Sequence, residues 1–270
     1  MSRLVFITGA SSGIGQALAL RFFQAGYRLA LVARRTAQVE AWAEAQSLGA
    51  DRYRVYSADV SDIDGIVEAG RQCIAAQGVP DVVIANAGIS VGMDTAMRED
   101  LDVMRQTFAT NNVGVAATFH PFIDGMTTRG SGALVGIGSV AGIRGLPGHG
   151  AYCASKAAVI AYCESLRGEL KSAGLNVVTI CPGYIDTPLT QQNSYSMPFL
   201  MKAEDFADKA FAAIQAGSSY SVIPWQMGVV AKLLRLLPNA LFDKALSGRA
   251  RKKRQESQVA PSKKASKPES

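Results

Sequence analysis

Short apolar runs alternate along the chain with stretches in which apolar side chains recur every three to four residues. The runs Leu4–Ile7, Leu29–Ala33, Tyr53–Ser57, Asp81–Ala85, Ala133–Ile137, Asn176–Cys181 and Tyr220–Ile223 predict strands. Little alternation within these runs suggests strands covered on both faces, as in a parallel sheet. Between them, Ile14–Ala25, Ala37–Ser47, Asp62–Gln77, Leu101–Met126, Ala151–Ala173 and Ala203–Ala216 carry helical spacing. A strand followed by a helix, repeated six times, predicts an α/β, doubly wound parallel sheet of about seven strands with right-handed crossovers. Residues 1–224 read as one such domain, and 48% hydrophobic content over 270 residues suffices for its core.

Two segments break the rhythm. Residues 188–202 form a polar-then-apolar insertion after a strand's carboxyl end, where ligands bind in such sheets, and read as a mobile lid over a substrate. Residues 225–248 read as a C-terminal helical extension. Val230, Leu233, Leu234, Leu237, Leu241 and Ala245 recur at helical spacing, and Lys232, Arg235, Asn239 and Asp243 mark another face. Pro238 divides this into two short amphipathic segments. Residues 249–270 then read as a basic, disordered tail, beginning with five bases in the six residues Arg249–Arg254.

The charge is confined to that tail. It holds eight of the 28 bases and two of the 22 acids, so the formal +6 resides there and residues 1–248 are neutral. Domain-wide nucleic-acid binding is therefore not expected. The extension and tail leave two readings open: packing on the sheet or a partner subunit, or peripheral contact with an anionic membrane. Cys73, Cys153, Cys163 and Cys181 form no CxxC and only two histidines exist, so no metal site is predicted. Met1-Ser2-Arg3 leads straight into the four-residue apolar run Leu4–Ile7. No signal peptide and no spanning helix are expected, and a cytoplasmic location follows.

Candidate chemistry begins at Thr8-Gly9-Ala10-Ser11-Ser12-Gly13-Ile14-Gly15, a glycine-rich turn between a predicted strand and helix. Glycines let the backbone approach a pyrophosphate, the helix N-terminus offers free N–H groups, and Ser11 and Ser12 add hydroxyls. Further along, Ser139 precedes Tyr152 by 13 residues, and Lys156 follows Tyr152 by one helical turn. Asn86-Ala87-Gly88 follows the fourth strand, Asn111 lies three before Gly114, and Pro182-Gly183-x-Ile185-x-Thr187 follows the sixth. Six motifs in this order, over about residues 3–224, resemble the short-chain dehydrogenase/reductase family in its single-domain form. Ala85 before Asn86 and Gly138 before Ser139 depart from the usual pattern, in which an asparagine and a serine are common at those places.

The resemblance implies a Rossmann-type fold, a nicotinamide dinucleotide, and a ketone or aldehyde interconverted with an alcohol by hydride transfer. It implies Tyr152 as acid/base, with Lys156 lowering its pKa and holding the nicotinamide ribose. Ser139 would bond the substrate oxygen, and Asn111 would hold a relay water. Asn86, Ala87, Gly88, Pro182, Gly183, Ile185 and Thr187 would line the cofactor, and Asp59 and Val60 the adenine. The position at which an acid selects NAD is Ala33, and Arg34 and Arg35 follow it. Arginine suits a 2′-phosphate, so NADP(H) is expected, read by Arg34 with Arg35 on the adenine. The resemblance also implies a homodimer or homotetramer through the helices at 101–126 and 151–173, and by analogy an apolar carbonyl or alcohol substrate. A dinucleotide-binding regulatory or membrane-surface protein of the same fold, catalytically weak, is the alternative. His149 reads as a surface-loop histidine or a pocket residue, Arg144 as a surface residue or an anion reader, His120 as structural, and Cys153 as pointing away from the site.

Overall fold

The computed structural model describes residues 2–191, 196–247, 252 and 254. The chain begins with β1 (Leu4–Thr8), α1 (Gly13–Gln24), β2 (Arg28–Ala33), α2 (Thr36–Ala45), β3 (Tyr53–Ser57), α3 (Ile63–Gln77) and β4 (Val82–Ala85). It continues through α4 (Asp100–Phe108), a π-helical turn (Ala109–Val113), α5 (Gly114–Arg129), β5 (Gly132–Ile137), α6 (Gly150–Leu170) and β6 (Leu175–Pro182). Then come β7 (Ile185–Asp186), β8 (Met201–Lys202), α7 (Ala203–Gln215), β9 (Tyr220–Ile223), α8 (Trp225–Leu236) and α9 (Asn239–Leu246).

Seven of the described strands form one sheet in the order β3-β2-β1-β4-β5-β6-β9, and every neighbouring pair is parallel. All five residues of β1 are buried. Its side chains alternate between the two faces. Val5 and Ile7 join Leu18, Phe22, Phe206 and Ile214 under α1 and α7. Leu4 and Phe6 join Ile66, Phe119, Phe122 and Leu166 under α3, α5 and α6. The order reverses at β1, since β2 and β4 flank it, which places a crevice at the carboxyl ends of β1 and β4.

The helix expected over 101–126 is interrupted. The π-helical turn inserts one residue's worth of backbone between α4 and α5, a feature frequent at functional sites. The turn carries Asn111, which is fully buried. The 188–202 segment is anchored at both ends, because β7 pairs in parallel with β8. Thr190 Oγ1 also donates to the Ile185 carbonyl at 2.5 Å. Residues 192–195 of that insertion lie outside the described residues, as do Arg249, Arg251, Lys253 and residues 255–270 of the tail. Helices α8 and α9 divide at Pro238, as the proline predicts. The apolar stripe read at helical spacing is not the buried side: Val230, Leu234 and Leu237 are half-buried and Leu233 and Leu241 exposed, whereas Met227, Gly228 and Ala231 are buried. Apolar residues occur all round α8, so periodicity alone misassigns its inner side.

Candidate active site

The glycine turn leaves β1 at its carboxyl end. Gly9 and Gly13 adopt φ of +70° and +55°, the left-handed region that glycine enters without strain. Gly15 is held by a closer constraint: a Cβ there would lie 2.1 Å from the Gly9 carbonyl oxygen. Ser12, at the N-cap of α1, makes no side-chain hydrogen bond to the helix. The first N–H groups of α1, including that of Ile14, are thus without a side-chain cap at the positive end of the helix dipole. Thr8 ties this turn to the next motif. Its buried hydroxyl accepts the N–H groups of Asn86 (3.1 Å) and Ala87 (3.2 Å). Asn86 Nδ2 returns a bond to the Thr8 carbonyl at 3.0 Å. Thr187 reaches the same turn, since a Cβ at Gly13 would lie 3.1 Å from its Cβ. Ile185 is buried in the core beneath, and Gly183 N–H donates to the Ile223 carbonyl at 2.8 Å.

Two of the four residues read as catalytic, Asn111 and Lys156, meet beside Gly88. A Cβ at Gly88 would lie 3.2 Å from Asn111 Oδ1 and 3.5 Å from Lys156 Nζ, so only glycine leaves that space clear. Asn111 Oδ1 accepts the Ile89 N–H at 2.9 Å. Its Nδ2 donates to the Ile89 carbonyl (3.0 Å) and to Ser155 Oγ (2.9 Å). Both amide hydrogens are spent, while Oδ1 keeps a lone pair. Lys156, 5% exposed, donates from Nζ to the Ile137 carbonyl at 2.8 Å. Its ammonium lies 5.8 Å from the centroid of the Tyr152 ring. Ser139 Oγ accepts the Ala141 N–H at 3.1 Å, capping a short turn, and the same hydroxyl favours the ionised form of the Tyr152 phenol.

Burial governs the titration of this cluster. It pushes the Tyr152 phenol above its ordinary value, and the Ser139 hydrogen bond pulls only partly the other way. The lowering expected from Lys156 does not dominate, because Nζ is turned to the Ile137 carbonyl. Burial also pulls the Lys156 ammonium down to about 8. At pH 7 both groups are protonated, the phenol as a donor and the lysine as a cation.

Arg34 and Arg35 stand exposed just past β2. Arg34 Nη1 pairs with Asp59 Oδ2 at 3.2 Å, with the Arg34 side chain 66% exposed. Burial raises the Asp59 carboxyl, but hydrogen bonds from Ser61 and the Arg34 charge outweigh it and hold the group below its usual range. Val60 is buried, and its carbonyl presses on Gly114, where a Cβ would come within 2.7 Å.

Three sequence readings change. His149 is buried, with Nδ1 3.1 Å from the Pro147 carbonyl oxygen, and it is no surface residue. Burial first, and the nearby Lys252 charge after it, hold its pKa below the ordinary value. Arg144 meets protein instead of lying free for an anion. It donates to the carbonyls of Leu234, Arg235 and Leu237 at the end of α8 and lies 3.8 Å over the Phe242 ring. His120 is exposed on α5 and lines an open groove with Val113, Ile123 and Tyr162.

Two residues of the tail are described, and both are engaged, which departs from the disordered reading at those positions. Lys252 Nζ donates to Ser90 Oγ at 2.8 Å. Arg254 meets Asp100 at 2.6 Å and Glu99 at 3.3 Å. They lie against the segment that leaves Asn86-Ala87-Gly88, so the extension borders the cleft on one side and Arg144 pins it on the other. Sequence reasoning gave no role to Thr8, Ser155 or Asp100. Thr8 stood in the glycine motif and Ser155 beside Lys156, but their bonds span many residues and leave no local pattern. Cys153 is buried, and burial raises its thiol pKa.

Comparison with known proteins agrees with this architecture. Residues 3–197 match the short chain dehydrogenase family. An uncharacterized oxidoreductase of Myxococcus xanthus is 40% identical over 244 residues, 90% of this chain and 96% of its own length. A short-chain dehydrogenase of Sphingobium yanoikuyae in complex with NADPH superposes with a TM-score of 0.73 at 24% identity, covering 88% of this chain and 97% of the other. A short chain dehydrogenase/reductase of Burkholderia phymatum in complex with NAD gives 0.77 at 22% identity, covering 86% and 92%. With the family match spanning most of its length, this chain belongs to the short-chain dehydrogenase/reductase family of oxidoreductases.

Proposed function

We propose that this oxidoreductase interconverts a ketone or aldehyde with its alcohol on an apolar substrate, with NADP(H) as its nicotinamide dinucleotide. The observation that carries the reading is the buried Lys156 ammonium, 5.8 Å from the Tyr152 ring centroid one helical turn away and beside Gly88 and Asn111. The residues fit the dinucleotide: Gly9, Ser11, Ser12, Gly13, Ile14 and Gly15 offer a close backbone and uncapped N–H groups to its pyrophosphate. Asn86, Ala87, Pro182, Gly183, Ile185 and Thr187 border the same crevice.

When bound, the dinucleotide supplies or accepts the hydride. In reduction Tyr152 gives its proton to the substrate oxygen, and in oxidation it takes one back. Ser139 redirects its hydroxyl to that oxygen. Lys156 holds the ribose hydroxyls, and its charge, retained below about pH 8, favours the phenolate as the proton leaves. Asn111 uses the remaining Oδ1 lone pair to hold a water that returns a proton from the Lys156 side.

Arg34 supports the phosphorylated dinucleotide. Its pairing with Asp59 is solvent-exposed and such pairs are weak, about 0–1 kcal/mol, so a doubly charged phosphate competes for it readily. Arg35 stacks on the adenine, and Asp59 and Val60 flank it. A homodimer or homotetramer forms over α5 and α6, where the groove at His120 is open. A cytoplasmic location accords with four free, buried cysteines. The alternative, a dinucleotide-binding regulator without chemistry, is disfavoured because Asn111, Ser139, Tyr152 and Lys156 are all present. A panel of carbonyls and alcohols, weighted to long-chain and cyclic apolar compounds and followed by NADPH absorbance, tests the reading. Turnover of such compounds supports it, and NADPH binding with no turnover across the panel refutes it.

A further inference from the structure

Helix α8 presents two apolar sides. Met227, Gly228 and Ala231 are buried against the body. Trp225, Val229, Leu233 and Leu236 are 70%, 47%, 62% and 80% exposed. At 100° per residue these four fall within one quarter-turn of the helix, opposite the buried set. Monomeric surfaces rarely leave a contiguous stripe of this size bare. Helix α8 also stands on the substrate side of the sheet. A Cβ at Gly183 would lie 2.8 Å from Met227 Cγ, and Arg144 from the β5–α6 loop holds its C-terminal carbonyls.

We infer that this stripe docks on an anionic lipid surface, with α8 lying in the interface plane. Charge complementarity selects this occupant. Lys232 borders the stripe, Arg235 is exposed in the last turn, α8 contains no acidic residue, and Arg249, Arg251 and Lys253 follow in the sequence besides the engaged Lys252 and Arg254. A helix with exposed Trp and Leu on one side, a lysine at the edge of that side and no acid has the composition of an interfacial helix. A second copy fits less well. An isologous contact through this face would bury Lys232 at its edge with no acidic residue of α8 to pair it. A nucleic acid would gain nothing from the four apolar side chains. No described helix is long and apolar enough to cross a membrane, so the contact is peripheral.

The chain has two tryptophans, Trp42 and Trp225. In a Trp42→Phe background, Trp225 emission reports the docking without any need for turnover. Vesicles of phosphatidylcholine with phosphatidylglycerol should shift that emission to the blue and co-sediment the protein, and pure phosphatidylcholine should do so more weakly. Leu233→Asp with Leu236→Asp, both exposed and therefore tolerated by the fold, should weaken partitioning by roughly tenfold or more. Lys232→Glu with Arg235→Glu should remove the preference for anionic vesicles. Binding that the leucine pair leaves unchanged would assign it to the basic tail alone and overturn the inference. So would an absence of vesicle binding, or a loss of oligomeric state in the leucine pair, which would show a second copy on the stripe.

Discussion

Gly138 and Cys181 face each other between β5 and β6, and a Cβ at 138 would come within 2.9 Å of Cys181 Sγ. The Gly138 N–H is fixed at 2.8 Å on the Ile180 carbonyl, so the backbone cannot withdraw. This accounts for a glycine at position 138. Gly138→Ser should destabilise the protein by about 1–3 kcal/mol through overpacking. Adding Cys181→Ala should restore much of that loss. Chemical denaturation of the two single variants and the double variant measures the coupling, and additive effects would show that the contact does not matter.

Arg34 and Asp59 meet on the surface past β2, and the arginine is free to exchange partners. Arg34→Ala should weaken NADPH binding by roughly ten- to a hundredfold, the worth of a charged hydrogen bond, and change NADH binding little. Titration of both cofactors into both proteins checks this. Equal effects on the two would remove Arg34 as the phosphate reader.

Lys156 makes a pH prediction whose sign is fixed. An unfolded lysine holds its proton to about 10.5, whereas burial brings the folded group to about 8. Between those values the unfolded state binds more protons, so stability rises with pH. Compared with Lys156→Met, the wild-type protein should gain stability from about pH 8 to about 10.5, by up to about 3 kcal/mol. Denaturation midpoints of both proteins across that range provide the test. A difference that stays flat with pH would contradict the buried, depressed lysine.

The sheet was legible because its strands are covered on both faces and read as plain apolar runs. Those at Tyr53–Ser57 and Tyr220–Ile223 coincide with β3 and β9 to the residue. The motifs were legible because glycines, Asn86, Asn111, Ser139, Tyr152 and Lys156 sit at fixed spacings, and the fold brings them around one crevice. The π-helical turn at Asn111 was not, since one extra residue barely disturbs an apolar period. Nor was the inner side of α8, where both sides are apolar and only the neighbours decide. Arg144 on α8, Arg254 on Asp100 and Lys252 on Ser90 were equally hidden. Each joins residues some 90 or more positions apart, and a charge in a sequence does not name its partner.

The proposed chemistry rests on one oxygen atom, the Tyr152 hydroxyl. Tyr152→Phe removes it, leaving the ring in place and Ser139 still capping its own turn. Carbonyl reduction should fall by at least about a hundredfold, the contribution of a placed general acid, while the NADPH dissociation constant stays within about threefold. Turnover measured with the best substrate from the carbonyl panel, alongside NADPH binding, decides the matter. Full turnover in the phenylalanine variant would contradict the assignment of Tyr152 as the proton donor.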